Sequence, residues 1–428
     1  MKRKRLQKMI ALAVCTAVIT TMGGFSVAAE EVYEVAADEE TVTDVPAEPE
    51  TEDIFQEVGE DEEQLLQQIQ EENEEADVLF GDGTVIEEFS SGEATTDLQY
   101  GSLSKVYLDP AGGSDTYSGE ASDQAVQTID RALSLIEENG TIYLKSSLTL
   151  NDKNDHSWSK VTIRPADTLA NDASKPMIQV KMGTGLALDE VNISNIKESG
   201  ESWLGKTLLE KTGEGVLTIG TGTTLVCDAK VKHAIYTNKE SGAYDTYATL
   251  RINGGSIQGA DRTNYNKQFA LVTVQYGTAE MSGGSITGNT AHFGGGIYLS
   301  EARFFMRGGR ISGNKARYGG GIYGENGSTV TLSGGRIADN HAGDGGGVYL
   351  WASDLKMDRT EPDGRPCVIE NNTATTEILE GPDSYKSVYG QGGGVYLGDG
   401  RALLGKGTIQ GNKAEPQIEY DEDGEVMS

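Results

Sequence analysis

The chain has 428 residues, 56 of them glycine (about 13%, roughly twice the usual share), while apolar residues make up only 37%. That composition excludes a helix bundle and a polytopic membrane protein, and favours many tight turns around a thin core. The net charge of −32 is uneven: residues 30–100 hold 26 Asp and Glu and no Lys or Arg, whereas the residues after 100 hold 41 acids against 30 bases. Such acidity disfavours nucleic acid as a partner, because phosphate contacts need clustered Lys and Arg.

Residues 1–29 read as a signal peptide. Lys2, Arg3, Lys4, Arg5 and Lys8 precede an apolar run from Met9 to Ile19, and Val27 and Ala29 suit cleavage after Ala29. The run is shorter than the ~18–20 residues that span a bilayer, so no membrane span is expected after cleavage. The alternatives are an uncleaved anchor and a lipoprotein at Cys15, for which Val14 is the wrong preceding residue. Residues 30–100 then read as an acidic, disordered spacer, with a short helix over Gln64 to Gln70 as its one element.

Order starts near Lys105. Val106-Tyr107-Leu108 predicts a strand, followed by turn formers from Asp109 to Asp115. Thr128 can cap a helix over 128–139, in which Ile129, Ala132, Leu133 and Ile136 make one apolar stripe and Asn139-Gly140 ends the helix. Thr141-Ile142-Tyr143-Leu144 predicts another strand. A one-faced helix before a long β region suits a cap on an open end of a stack, here residues 101–145.

Beyond residue 250 the chain repeats. Gly294-Gly295-Gly296-Ile297-Tyr298 recurs from Gly319, Gly345 and Gly392. Ser-Gly-Gly-Ser-Ile at Ser282–Ile286 returns as Arg307–Ile311 and Ser333–Ile337, and Asn289, Asn314, Asn340, Asn372 and Asn412 form a third element. A unit of about 25 residues cannot bury its own apolar side chains and must stack on its neighbours. Short strands separated by glycine turns make that stack a parallel β-helix over 141–415, roughly 11 turns and about 50 Å long at ~4.8 Å per turn. Ile286, Ile311 and Ile337 are then expected in one inward file, with the Asn amides bonded along the axis. The direction of Tyr298, Tyr323, Tyr349 and Tyr396 is left open, and the adjacent Ile or Val takes the opposite side. Cys227 and Cys367 fall about 5–6 turns apart, too far for a disulfide.

The motifs Tyr107-Leu108-Asp109-Pro110, Gly113-Ser114-Asp115, Gly119, Thr128-Ile129, Ala132-Leu133 and Gly140-Thr141-Ile142-Tyr143-Leu144 resemble the amino-terminal cap of the pectin-lyase-like superfamily. The later Gly-Gly-Gly-Ile-Tyr and Gly-Asn units are similar to those of adhesin-like, secreted β-helix proteins of bacteria. The resemblance covers about residues 105–415. It implies an all-β, right-handed parallel β-helix with an N-terminal capping helix, and is weak for activity, since one fold hosts many functions.

Polysaccharide lyases and hydrolases of that superfamily place carboxylates, or calcium-binding carboxylates with an Arg or Lys base, on adjacent turns. Here His292 falls over Arg317 and Gly343, and His341 over Lys315, with no carboxylate partner evident. The enzyme locus that remains is the excursion 351–391, with Trp351, Asp354, Asp358, Arg359, Glu361, Asp363 and Arg365; a solvated loop has the same composition. No catalytic residue, metal ligand or cofactor is assigned. A binding role rests instead on eight bases against three acids in residues 262–336, with Arg310 and Arg336 in one register. Arg307, Arg310, Arg317 and Arg336 are the candidate contacts for an anionic glycan, a cell-wall polymer or a host surface; the alternative is that they sit on different faces and solubilise the stack. Residues 416–428 read as the acidic end of a truncated turn, which points to a fragment of a longer protein. The expectation is a secreted or cell-surface protein with an adhesin-like, glycan-contacting role, the alternative being a polysaccharide lyase or glycoside hydrolase.

Overall fold

A computed structural model describes residues 100–228, 230–240, 247–259, 270–358, 365–376 and 389–415. The expected signal peptide, acidic spacer and acidic end lie outside the described residues, apart from Tyr100. The described chain is all-β apart from one short α-helix and one 3-10 turn, and its strands stack in parallel in the manner of a β-helix. An eleven-stranded sheet runs from Leu103–Leu108 to Gly407–Gln410, a five-stranded sheet runs from Thr290–Phe293 to Lys413–Glu415, and a sixteen-stranded sheet completes the coils. A representative coil takes Ser285–Thr287 in the first sheet, Thr290–Phe293 in the five-stranded sheet, and Ile297–Met306, which bends at Glu301 (φ 50°), in the sixteen-stranded sheet.

Ile286, Ile311 and Ile337 are paired in register and fully buried, in the single file expected of them. The file continues through Ile369 to Ile409, and upstream through Ile257, Leu225, Ile193, Ile163 and Ile142 to Val106. The region 141–250, which looks irregular as sequence, therefore keeps the same inner column while its connecting loops vary in length. In the glycine triplets, Gly294, Gly319, Gly345 and Gly392 each turn the chain with φ between 61° and 67°. The third glycine lies against the next coil: a Cβ at Gly321 would stand 2.6 Å from the carbonyl oxygen of Gly347.

Two expectations change. The helix expected over 128–139 spans only Ile129–Leu135, with Thr128 accepting from the Arg131 N–H at 3.2 Å. Residues Ile136–Leu144 form a strand instead, because Leu103 pairs with Ile136 and draws its fully buried side chain into the core. The excursion 351–391 is likewise not one loop. Asp354–Met357, Cys367–Glu370 and Thr373–Thr375 are strands in register with the coil before, so the extra length is divided between two insertions.

The asparagines form a continuous internal ladder. Asn340 Oδ1 accepts from the Asn314 N–H at 3.0 Å and from Asn314 Nδ2 at 3.1 Å, while Asn340 Nδ2 donates to Ile311 O at 3.0 Å and to Asn372 Oδ1 at 3.0 Å. Asn372 and Asn412 repeat the pattern. Asn340 is fully buried, so its replacement strands several polar groups, each costing about 1–3 kcal/mol. Asn340→Ala is expected to destabilise the protein by about 3 kcal/mol or more, read as a lower urea midpoint.

Candidate functional site

Tyr298, Tyr323, Tyr349 and Tyr396 point outward. Their neighbours Ile297, Ile322 and Val348 are fully buried on the opposite side of the same strands. In-register pairing lays each ring on the next: centroids lie 5.7, 5.3 and 4.6 Å apart, with interplanar angles of 5°, 10° and 9°. Such stacked pairs contribute roughly 0.5–1.5 kcal/mol each beyond burial. Glu325 accepts from the Tyr298 hydroxyl at 2.5 Å and from the Tyr323 hydroxyl at 2.9 Å. Burial, and then Glu325, push both phenols above their ordinary range, so they stay protonated donors. The ring faces cover one another; the middle rings, Tyr323 and Tyr349, are buried at 6% and 9% exposure, and only the end rings, Tyr298 and Tyr396, are partly exposed.

A second aromatic row interlocks with the first. Phe293, Tyr318 and Asp344 hold one register in the five-stranded sheet. Phe293 stacks on Tyr318 at 5.6 Å and leans on Tyr323 at 4.8 Å, and Tyr318 meets Tyr349 edge-on at 5.3 Å. Arg317, only 5% exposed, lies 5.6 Å from the Tyr318 ring centroid. His292 packs against Phe293 at 4.2 Å; burial and the neighbouring Arg317 charge lower its pKa to about 4. Asp344 is buried and accepts the N–H groups of Tyr389 at 3.0 Å and Gln391 at 2.9 Å, fastening the returning end of an insertion to this face. Burial raises its carboxyl pKa, against the pull of those hydrogen bonds and of Arg317.

The four expected arginines are distributed as follows. Arg310 and Arg336 are brought together on the outer side of the eleven-stranded sheet. Arg310 pairs with Asp339 at 2.6 Å, and Arg336 pairs with Glu370. Arg307 is exposed in the turn before Arg310–Ser312. Arg317 belongs to Lys315–Tyr318 in the five-stranded sheet, beside the aromatic rows. Of the loop candidates, Asp354 pairs with Arg401 at 3.0 Å, while Arg359, Glu361 and Asp363 lie outside the described residues. Cys227 and Cys367 are both buried and are not joined in a disulfide.

Among the described residues no group of three or more His, Cys, Asp or Glu is placed to hold a metal, and no helix is long and apolar enough to cross a membrane. A shallow cavity of about 410 Å³ opens at the bend of the sixteen-stranded sheet, lined by Gly327, Ser328, Ala352, Ser353, Asp354, Asp399, Gly400 and Arg401. Comparison with known protein families, curated proteins and solved structures finds no match.

The outward aromatic face was the feature that sequence reasoning left open. Its signal was present: Leu299, Leu350 and Leu397 follow two residues after Ile297, Val348 and Val395, so the aliphatics share the inner side and the tyrosines take the outer one.

His292 supplies a test of the packing. Folding lowers its pKa from 6.5 to about 4, so the neutral imidazole is favoured and its contribution is present above pH ~6.5 and lost as pH falls toward about 4. His292→Gln is expected to reduce the fall in melting temperature between pH 7 and pH 4.5 relative to wild type, measured by thermal denaturation.

Proposed function

We propose that this is a secreted or cell-surface, adhesin-like protein of the right-handed, pectin-lyase-like β-helix type, with its N-terminal helix serving as a cap, and that it contacts extended glycans. The single observation that carries this reading is the outward tyrosine column, flanked by Glu325, Asp344, Phe293 and Trp351 and repeating at every coil from Tyr298 to Tyr396. Stacking holds these groups rigidly before any ligand arrives, which lowers the ordering cost of binding. A sugar polymer lying along the coils meets the partly exposed Tyr298 and Tyr396 at the ends of the column and the exposed Phe293 and Trp351 beside it, while Tyr323 and Tyr349 form the buried support between them. The Arg307, Arg310 and Arg336 group supports a separate contact for anionic polymers, but there a ligand competes with Asp339 and Glu370 for the two paired guanidinium groups.

Co-sedimentation of the full chain with insoluble neutral and acidic polysaccharides, with assay of reducing and unsaturated ends, tests this reading. Retention without new ends is expected, weakened by Tyr396→Ser and unchanged by Arg310→Glu with Arg336→Glu. Loss of retention only in the double arginine variant would transfer the contact to the eleven-stranded sheet. New ends that vanish in Asp344→Asn or Asp354→Asn would replace this reading with a lyase or hydrolase.

A further inference from the structure

We infer that Trp351 and the cavity that adjoins it form a subsite for one neutral pyranose unit of the glycan, an inference that rests on the glycan reading above. Trp351 ends the strand Val348–Trp351 on the same outer side as Tyr349, and is 49% exposed. Its partner one coil on is Gly398. A Cβ at Gly398 would stand 2.6 Å from Trp351 Cε3 and 2.8 Å from Cζ3, so the glycine leaves a seat on which the indole rests. Where the tyrosines cover one another's faces, Trp351 stacks on no ring among the described residues of its own column, and the next position, Gly398, carries no side chain. With one face on Gly398, the indole is a fixed aromatic surface that stays half-exposed.

The polar half of the subsite follows directly in the chain. After Trp351 and Gly398 the backbone turns through Ala352 (φ 46°) and Asp399 (φ 56°), and the bend opens the 410 Å³ cavity. Within it the Asp354 carboxylate accepts the Arg401 N–H at 3.0 Å through Oδ1 and Arg401 Nη2 at 3.0 Å through Oδ2. These bonds hold a carboxylate and a guanidinium in fixed positions beside Asp399. A pyranose offers matching chemistry: axial C–H groups on one face, which suit the electron-rich face of an indole, and an equatorial rim of hydroxyls that both donate and accept. An aromatic plate beside a few fixed polar groups is how small-ligand sites orient their occupants. Two carboxylates against one guanidinium leave the lining negative, which selects against uronates and sulfated sugars.

Only Trp351 of the three tryptophans is accessible, since Trp158 and Trp203 are each 1% exposed. Acrylamide quenching of the full chain therefore reports on Trp351, with affinities taken from calorimetry against cellohexaose, xylohexaose, mannohexaose, chitohexaose and hexagalacturonate. At least one neutral oligomer is expected to protect the emission from quenching. Trp351→Ala is expected to weaken that oligomer's binding by about tenfold or more, and Gly398→Val to weaken it by displacing the indole. Circular dichroism melts establish that both variants fold. A neutral oligomer bound equally well by wild type and Trp351→Ala, with unchanged quenching, overturns the subsite and leaves the glycan reading standing. Preference for hexagalacturonate overturns the neutral selection. Absence of retention on every polysaccharide and of binding to every oligomer overturns both readings.

Discussion

In-register parallel stacking is the constraint from which the rest of this structure follows. Once coils pair residue for residue, any side chain meets its counterpart from the coils on either side at about the 4.8 Å strand spacing. A position is therefore stable only if its residue tolerates a near-copy of itself as a neighbour. Branched aliphatics interdigitate, asparagines bond to one another, and tyrosines stack. All three solutions occur, the first two inside and the third outside. The column from Val106 to Ile409 shows that this rule outlasts the visible repeat, because loops are free to vary as long as the rungs are kept.

Lys211 shows how the scaffold accommodates an exception. Register places it between Val180 and Thr237, and it is fully buried. An ammonium there must replace its water completely, and the backbone supplies the ligands: the carbonyls of Lys181 at 3.1 Å, Thr212 at 3.0 Å, Gly213 at 3.0 Å and Glu214 all accept from Nζ. Burial still lowers its pKa to about 8, against the pull of Glu240 and Glu214. The polar residue is tolerated where the chain turns and carbonyls converge, whereas a mid-strand position would leave its charge uncompensated.

The sequence made the repeated coils readable because three motifs recur in fixed order, and the ladder of Asn314, Asn340, Asn372 and Asn412 needed no more than that. The end of the helix was not readable, because Ile136 satisfies an apolar helical stripe and a strand rung equally well, and only its partner Leu103 decides between them. The division of the excursion 351–391 was hidden for a related reason: without the glycine signature, Cys367–Glu370 looks like loop until Ile369 is seen beneath Ile337. Trp351 was legible as an aromatic in a charged segment, but its seat is a glycine one coil later, a relation that a reading in chain order does not contain.

The same constraint separates the two outer surfaces that compete for a ligand. On the eleven-stranded sheet, Arg310 over Arg336 sets like charges opposite each other, which is destabilising unless each is answered. Asp339 and Glu370 provide the answer and remove much of the charge that would attract an anion. A cationic strip built on register thus weakens itself as it is stabilised. The tyrosine column has the opposite property, since each added ring gains a stacking partner, although the middle rings, Tyr323 and Tyr349, are buried in the process. Its limit is that the faces, the part of an aromatic ring that best receives a sugar, are spent on one another. An aromatic on such a scaffold escapes ring-on-ring stacking where the next coil carries no side chain, as where Trp351 lies on Gly398 with half of its surface still exposed.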